Sequence, residues 1–271
     1  MTVLRTMVRY VGWALSRIWL VIGLLVLWEF LTRSRDDPFF PPPSDILPVL
    51  RDIWFSGPAH RLFLTSRAFD DFVPSLTHIF VGWFTAVFVG IVLGVAVGRS
   101  RVVSEYLDPL IEFGRAIPPP TLIPFFIIVF KFANPMYIAV IAFGVIWPVL
   151  LNTIDGARTV DSLQLDTAKV LGLTAWQRLW LVILPAAAPK IFAGMRLSLS
   201  LALILMVISE LIGAVAGIGD HLVTAQRSFQ LPEMWAGILL LSILGLLLNG
   251  VFVLVERRVL SWHRNAQRLE G

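Results

Sequence analysis

The chain has 271 residues and no cysteine, so it can form neither a disulfide nor a thiolate metal site, and its redox compartment cannot be inferred. Charge is also scarce. Only 15% of residues are charged and 57% are hydrophobic, against about 25% and about 45–50% in soluble domains. That balance excludes a soluble domain of this size. The histidines, His60, His78, His221 and His263, are far apart and form no HExxH pair, which argues against a zinc enzyme. The lysines Lys131, Lys169 and Lys190 follow Phe130, Ala168 and Pro189. A P-loop requires Gly-Lys-Ser/Thr, because backbone amides and the lysine cradle the phosphates, so none of these can be a P-loop lysine. An intramembrane enzyme would need a nucleophile with a base, or a metal set, at facing helical positions, and Glu210 with His78 alone does not supply one.

What the chain does have is long apolar runs. Six can be read as membrane spans of roughly 20 residues each: Val11–Leu31, Val73–Gly98, Leu107–Phe130, Pro135–Ile154, Ile191–Ala214 and Trp235–Val255. The third carries Glu112, Arg115, Pro118-Pro119-Pro120 and Pro124. Proline in a span needs neighbours or water to satisfy the freed carbonyls, and an interfacial helix over Leu107–Ala116 is the competing reading. A span is preferred, because losing one would put both flanking loops on impossible sides. Arg5, Arg9 and Arg17 precede or begin the first run and no small-residue cleavage site follows it, which predicts an uncleaved anchor.

The net charge of +4 comes from arginine and encodes orientation better than nucleic-acid binding. The N-terminus, Arg99 and Arg101, the Arg158–Lys190 interval, and Arg257, Arg258, Arg264 and Arg268 alternate with short loops carrying only Lys131 and Arg227. The expectation is a multi-pass membrane protein with both termini cytoplasmic. Pro38–Leu50, PFFPPPSDILPVL, then lies outside as a stiff extended linker, with Ser44-Asp45 as a helix cap. Trp13, Trp28, Trp147, Trp235 and Trp262 suit interface belts.

The polar interval Asp161–Pro185 reads as two short helices with a bend. Asp161 with Gln164, and Thr174 with Gln177, have capping-box spacing. Gly172 is a stop because glycine takes the left-handed conformation that closes a helix, and Pro185 ends the second helix. Trp176, Leu179, Trp180, Ile183 and Leu184 form one apolar stripe, with Gln177 and Arg178 off it. A bent pair with one apolar face, set between spans, has the form of a docking element.

Ionisable and polar groups within spans mark pathway candidates, because charge in hydrocarbon is expensive unless paired or wet. These are Arg196, Ser198, Ser209 and Glu210, with Ser200 on the same segment. Arg196 could instead snorkel to lipid phosphates, and Glu210 could tie its helix to a neighbour or an external loop. His78 and Glu29 lie near span ends and read as interfacial, and Asn249 as interhelical glue.

The interval also resembles the cytoplasmic loop motif of bacterial ATP-binding-cassette (ABC) importer permeases. That motif is Glu-Ala-Ala, three residues, Gly, nine residues, Ile, any residue, Leu-Pro. Here it reads Asp166-Thr167-Ala168, Gly172, Val182, Leu184-Pro185, with Asp for Glu, Thr for the first Ala and Val for Ile. The resemblance is to the sulfonate, taurine and nitrate branch and runs over roughly Val73–Trp262. It takes in Gly90, Gly94 and Gly98, then Leu107-Asp108-Pro109-Leu110, Arg115-Ala116-Ile117-Pro118-Pro119 and Leu150-Leu151-Asn152-Thr153. Ala193-Gly194-Met195-Arg196, Glu210-Leu211-Ile212-Gly213 and Gly217-Ile218-Gly219 follow in order.

The resemblance implies an all-α polytopic protein of the bacterial cytoplasmic (inner) membrane, with six transmembrane helices and the type I ABC importer permease fold. Its parts would be residues 1–72, an N-terminal helix and external Pro-rich segment; 73–262, the core with elbow 161–185; and 263–271, a cytoplasmic tail. The implied function is the permease subunit of an ATP-driven importer of a small anionic or heteroaromatic solute. Asp166, Thr167, Ala168, Gly172, Trp176, Arg178, Leu184 and Pro185 would couple it to ABC ATPase subunits, which carry ATP and Mg. This chain itself would be no enzyme and hold no cofactor. Its other partners would be a second permease copy, as a homodimer, a periplasmic or lipid-anchored solute-binding protein, and membrane lipid, with no nucleic acid. A secondary carrier or channel is the alternative, though internal repeats and charged pairs across the spans are not found.

Overall fold

The computed structural model describes residues 2–35, 38–213 and 216–261, with side chains from residue 19 onward. Among the described residues every regular element is helical. This follows from the lack of water in hydrocarbon, where a helix satisfies all its backbone groups internally. The helices are α1 (Thr2–Arg35), α2 (Pro43–Trp54), α3 (Ser66–Arg99), α4 (Arg101–Ala116), α5 (Ile123–Phe130), α6 (Asn134–Arg158), α7 (Ser162–Val170), α8 (Ala175–Arg178), α9 (Leu184–Gly213), α10 (Ile218–Arg227) and α11 (Leu231–Val259).

Among the described residues, four helical stretches are long and apolar enough to cross a membrane: Ala59–Arg99, Asn134–Arg158, Ala175–Gly213 and Leu231–Val259. The third expected span is not one rod. Arg101–Ala116 and Pro119–Phe130 meet at 87°. The cause is Pro118-Pro119-Pro120: a residue before proline is pushed out of the α region, and Ile117 and Pro118 have ψ of 119° and 122°. The first expected span falls within α1, and its residues up to Ile18, Trp13 among them, lie outside the described side chains.

The chain separates into two compact units, Met1–Phe69 with His221–Leu240, and Asp70–Asp220 with Leu241–Gly271. In the first unit α2 begins at Pro43 after extended Pro42 (φ −68°, ψ 149°). Ser44 is not its cap. The Ser44 amide donates to the Glu29 carboxylate at 3.1 Å and its hydroxyl to the same group at 2.7 Å. The anion thus serves as the missing cap at the positive end of α2. Glu29 also accepts from Arg33, so it is part of a polar tie and not a bare interfacial charge. Trp28 and Trp235 pack with ring centroids 5.4 Å apart and planes tilted by 57°, and the Trp235 indole donates to the Phe39 carbonyl.

In the second unit α3 and α9 both lie along α6, at distances only small residues allow. A Cβ on Gly94 would come within 2.6 Å of Thr153, and one on Gly98 within 2.7 Å of Ala157. One on Gly194 would meet the Pro148 carbonyl at 2.7 Å. The glycine spacing of the second run therefore serves close helix approach. Trp147 is packed inward against Gly114 and Phe143 and does not belong to an interface belt. Trp262 lies outside the described residues.

Candidate functional site

The elbow is built from local signals. Asp161 caps α7 by accepting from the Leu163 amide at 2.9 Å, a one-sided cap without the reciprocal bond from Gln164. After Val170 the chain closes on Gly172 at φ +72°. The Gly172 amide donates to the Lys169 carbonyl and the Leu173 amide to the Ala168 carbonyl, the pair of bonds that marks a glycine-terminated helix. Thr174 and Gln177 then form a full capping box for α8.

Pro185 does not end this second helix. Helix runs from Ala175 to Gly213, with a wider π turn at Leu179–Ile183 where the Leu184 amide donates five residues back to Leu179. An interior proline normally clashes with the carbonyl four residues before it. The π turn directly before Pro185 loosens that geometry, so the elbow and the following span are one continuous rod. The expected apolar stripe also divides. Leu179 and Ile183 turn inward onto Ala157 and Val160. Trp176 and Trp180 stay outside, edge to face at 5.5 Å.

Of the other motif residues, Ala168 is buried, which explains a small side chain there. Asp166 is exposed and pairs with Lys169 at 2.8 Å, and Thr167 bonds the Leu163 carbonyl. Arg178 and Leu184 are half-buried. Thr167 and Pro185 line a cavity of about 530 Å³ with Leu163, Gln164, Leu181 and Val182. Val170, Leu171 and Trp176 are 87%, 71% and 67% exposed, an apolar surface that polar caps bracket on both sides.

The pathway candidates separate. Arg196 is exposed and lines a cavity of about 670 Å³ between α9 and α11, together with Ser200, Asn249 and Glu256 among leucines. Its Nε donates to Asn249 at 3.4 Å, which supports Asn249 as an interhelical tie. Ser198, Ser209 and Glu210 are buried and do not line this cavity. Ser198 accepts from the Trp83 indole at 2.8 Å and donates to the Met195 carbonyl, and Ser209 donates to the Met206 carbonyl.

Glu210 is instead the centre of a buried cluster. Ser75 donates to both its oxygens at 3.0 and 2.9 Å, Nδ1 of His78 lies 2.8 Å from Oε1, and the Gly219 amide donates to Oε2 at 2.9 Å. His78 is 1% exposed, so reading it as interfacial was incorrect: it stacks on Tyr137 and its other ring nitrogen is 3.3 Å from Asn134 Oδ1. Sequence reasoning missed Ser75 and Asn134. The available signal was the i, i+3 spacing of Ser75 and His78, which puts two polar groups on one face of an apolar helix.

Residues 86–261 match the family described as binding-protein-dependent transport system inner membrane component. The chain is 34% identical to the taurine transport system permease protein of Escherichia coli (strain K12), with 94% of each chain covered. It is 33% identical to the putative aliphatic sulfonates transport permease protein of Bacillus subtilis (strain 168), over 76% of this chain and 74% of that one. Its structure is similar to an inward-facing conformation of the MetNI methionine ABC transporter, with a TM-score of 0.61 at 18% identity. That match covers 69% of this chain and 93% of the other.

Proposed function

The chain belongs to the family of binding-protein-dependent transport system inner membrane components, and from that membership we propose that it is the permease subunit of an ATP-driven ABC importer for a small sulfonate-, taurine- or nitrate-like anion. The observation that carries the coupling part of this reading is the elbow. It presents Val170, Leu171, Trp176 and Trp180 outward between two spans, and large apolar groups kept exposed in one place mark an interaction surface. The occupant is an ABC ATPase subunit, which holds ATP and Mg. This chain has no Gly-Lys-Ser/Thr of its own and is not the enzyme. Asp166, Thr167, Ala168, Gly172, Arg178, Leu184 and Pro185 shape or border the surface. The elbow and both termini face the cytoplasm of the inner membrane. A second copy of the chain completes the pathway, and an external binding protein delivers the solute.

Closure of the ATPase pair displaces the elbow, and the uninterrupted helix Ala175–Gly213 carries the displacement into the membrane. The cavity at Arg196 provides the pathway's cationic station, while Ser198, Ser209 and Glu210 are buried and hold the surrounding helices. The test is reconstitution of the permease with the ATPase and binding protein encoded beside it, followed by uptake of radiolabelled taurine, an alkanesulfonate or nitrate. ATP-dependent uptake that also needs the binding protein is expected. Uptake that proceeds without ATP would instead make this a secondary carrier or channel.

A further inference from the structure

Four segments of the second unit gather around one carboxylate: α9 carries Glu210 itself, α3 bonds it through Ser75 and His78, the turn entering α10 bonds it through Gly219 and bonds Ser75 through Ile218, and α6 contacts His78 through Asn134 and Tyr137. The Ser75 hydroxyl has a double role, since it donates to Glu210 while accepting from the Ile218 amide at 2.9 Å. The turn is built onto the acid group. Gly217 has φ +120°, and a Cβ there would sit 2.6 Å from Oε2 of Glu210; one on Gly219 would sit 2.5 Å from the Glu210 Cβ. Any side chain at either glycine would push the turn away from the carboxylate. The Tyr137 hydroxyl adds a bond to the Gly213 carbonyl at the end of α9.

A carboxylate is costly in an apolar interior unless donors surround it. Here the donors come from α3 and from the start of α10, and Glu210 is 1% exposed, with no part in lining the Arg196 cavity. Glu210 is also 26 residues beyond Leu184, about 39 Å at 1.5 Å per residue, on the rod whose other end is the elbow.

We propose that Glu210 is a positioning residue that locks the 216–219 turn to α9 and α3, so that displacement of α9 and release of that turn are one event. This rests on the importer reading for its driving force, though not for the lock itself. With no native cysteine, a single cysteine at Ile218, which is 0% exposed in the locked turn, reports on its release. In purified full-length permease, N-ethylmaleimide should label Ile218→Cys at least tenfold faster when Glu210→Ala is added, and several-fold faster with the milder Ser75→Ala. Glu210→Gln should stay within about twofold of the parent, because its amide can still accept from Gly219 and bond His78. A control cysteine at buried Ala86 should remain protected in the Ser75→Ala background, which separates release of the turn from general loosening. Equal labelling of Ile218→Cys in the parent, Glu210→Ala and Ser75→Ala would overturn the lock.

In vesicles reconstituted with the permease and its ATPase, ATP with vanadate should alter Ile218→Cys labelling in the parent and not with Ser75→Ala. The same ATP response in both would overturn the link to α9. Absence of ATP-driven uptake by the wild type would sink the importer reading, and the labelling of isolated permease would still decide the lock.

Discussion

Nδ1 of His78 on α3 lies 2.8 Å from Oε1 of Glu210 on α9, with the two side chains 2% and 0% exposed. A buried pair of this kind adds little over a well-packed apolar pair, but deleting one partner strands the other, at a cost of about 3–5 kcal/mol. Glu210→Leu and His78→Leu are each expected to lower stability by about that amount. The double variant should lose less than the sum, with a coupling of about 1–3 kcal/mol. Unfolding of the four proteins in one detergent measures the cycle; strictly additive losses would show that the two residues act independently.

That pair also shows where sequence reading stopped. Glu210 stood out because a carboxylate in an apolar run must be paired or wet, and a tie to a neighbouring helix or loop was one of its two readings. His78 was misplaced because distance from a span end says nothing about which face of the helix it occupies. That is fixed only when α3, α6 and α9 pack. The same holds for Arg196, whose cavity is made jointly with α11. Local chemistry is legible: the glycine stop at Gly172 and the capping box of Thr174 and Gln177 come from neighbours in sequence, and the four-residue spacing of Gly90, Gly94 and Gly98 marks the face of α3 that α6 approaches. Pro185 was read by the general rule for proline, and the π turn before it has no sequence signal comparable in strength.

Gly172 tests the elbow. It has φ +72° and open space around its missing side chain, so a substitution meets no steric wall, only backbone strain. Left-handed geometry costs an ordinary residue about 1–2 kcal/mol, and a β-branched one is a stronger misfit. Gly172→Val should redirect α8 relative to α7, leaving the permease inserted but unable to retain the ATPase or to couple hydrolysis to uptake. Gly172→Asn should be milder, since asparagine tolerates this conformation. Normal co-purification and transport by Gly172→Val would remove the elbow from the coupling role.

Orientation can be read with single cysteines. Ser56 and Gln164 are both exposed, on opposite sides of the membrane in the proposed topology. A membrane-impermeant maleimide added to intact cells lacking an outer membrane barrier should label Ser56→Cys and spare Gln164→Cys. Lysis should expose both. Labelling of Gln164→Cys before lysis would invert the arrangement and place the elbow on the wrong side for an ATPase.

Arg196 separates a role in the pathway from simple lipid anchoring. Its guanidinium lines the cavity with Ser200 and Asn249, and its bond to Asn249 through Nε, at 3.4 Å, is the sole hydrogen bond it makes among the described residues. The terminal amino groups are thus available as a planar fork, which fits a sulfonate or nitrate better than a single ammonium does. Hydrogen bonds to a charged group contribute about 1.5–3 kcal/mol, or roughly 10- to 150-fold in affinity. Arg196→Gln should therefore cut uptake by an order of magnitude or more without releasing the ATPase. Arg196→Lys is the decisive variant. A residue that only snorkels to lipid phosphate needs a long stem and a positive charge, and lysine supplies both. A residue that holds the solute between two N–H groups needs the fork, so Arg196→Lys should raise the solute concentration for half-maximal uptake several-fold. Wild-type kinetics in Arg196→Lys would assign this arginine to the lipid interface and leave the cavity without its cationic station.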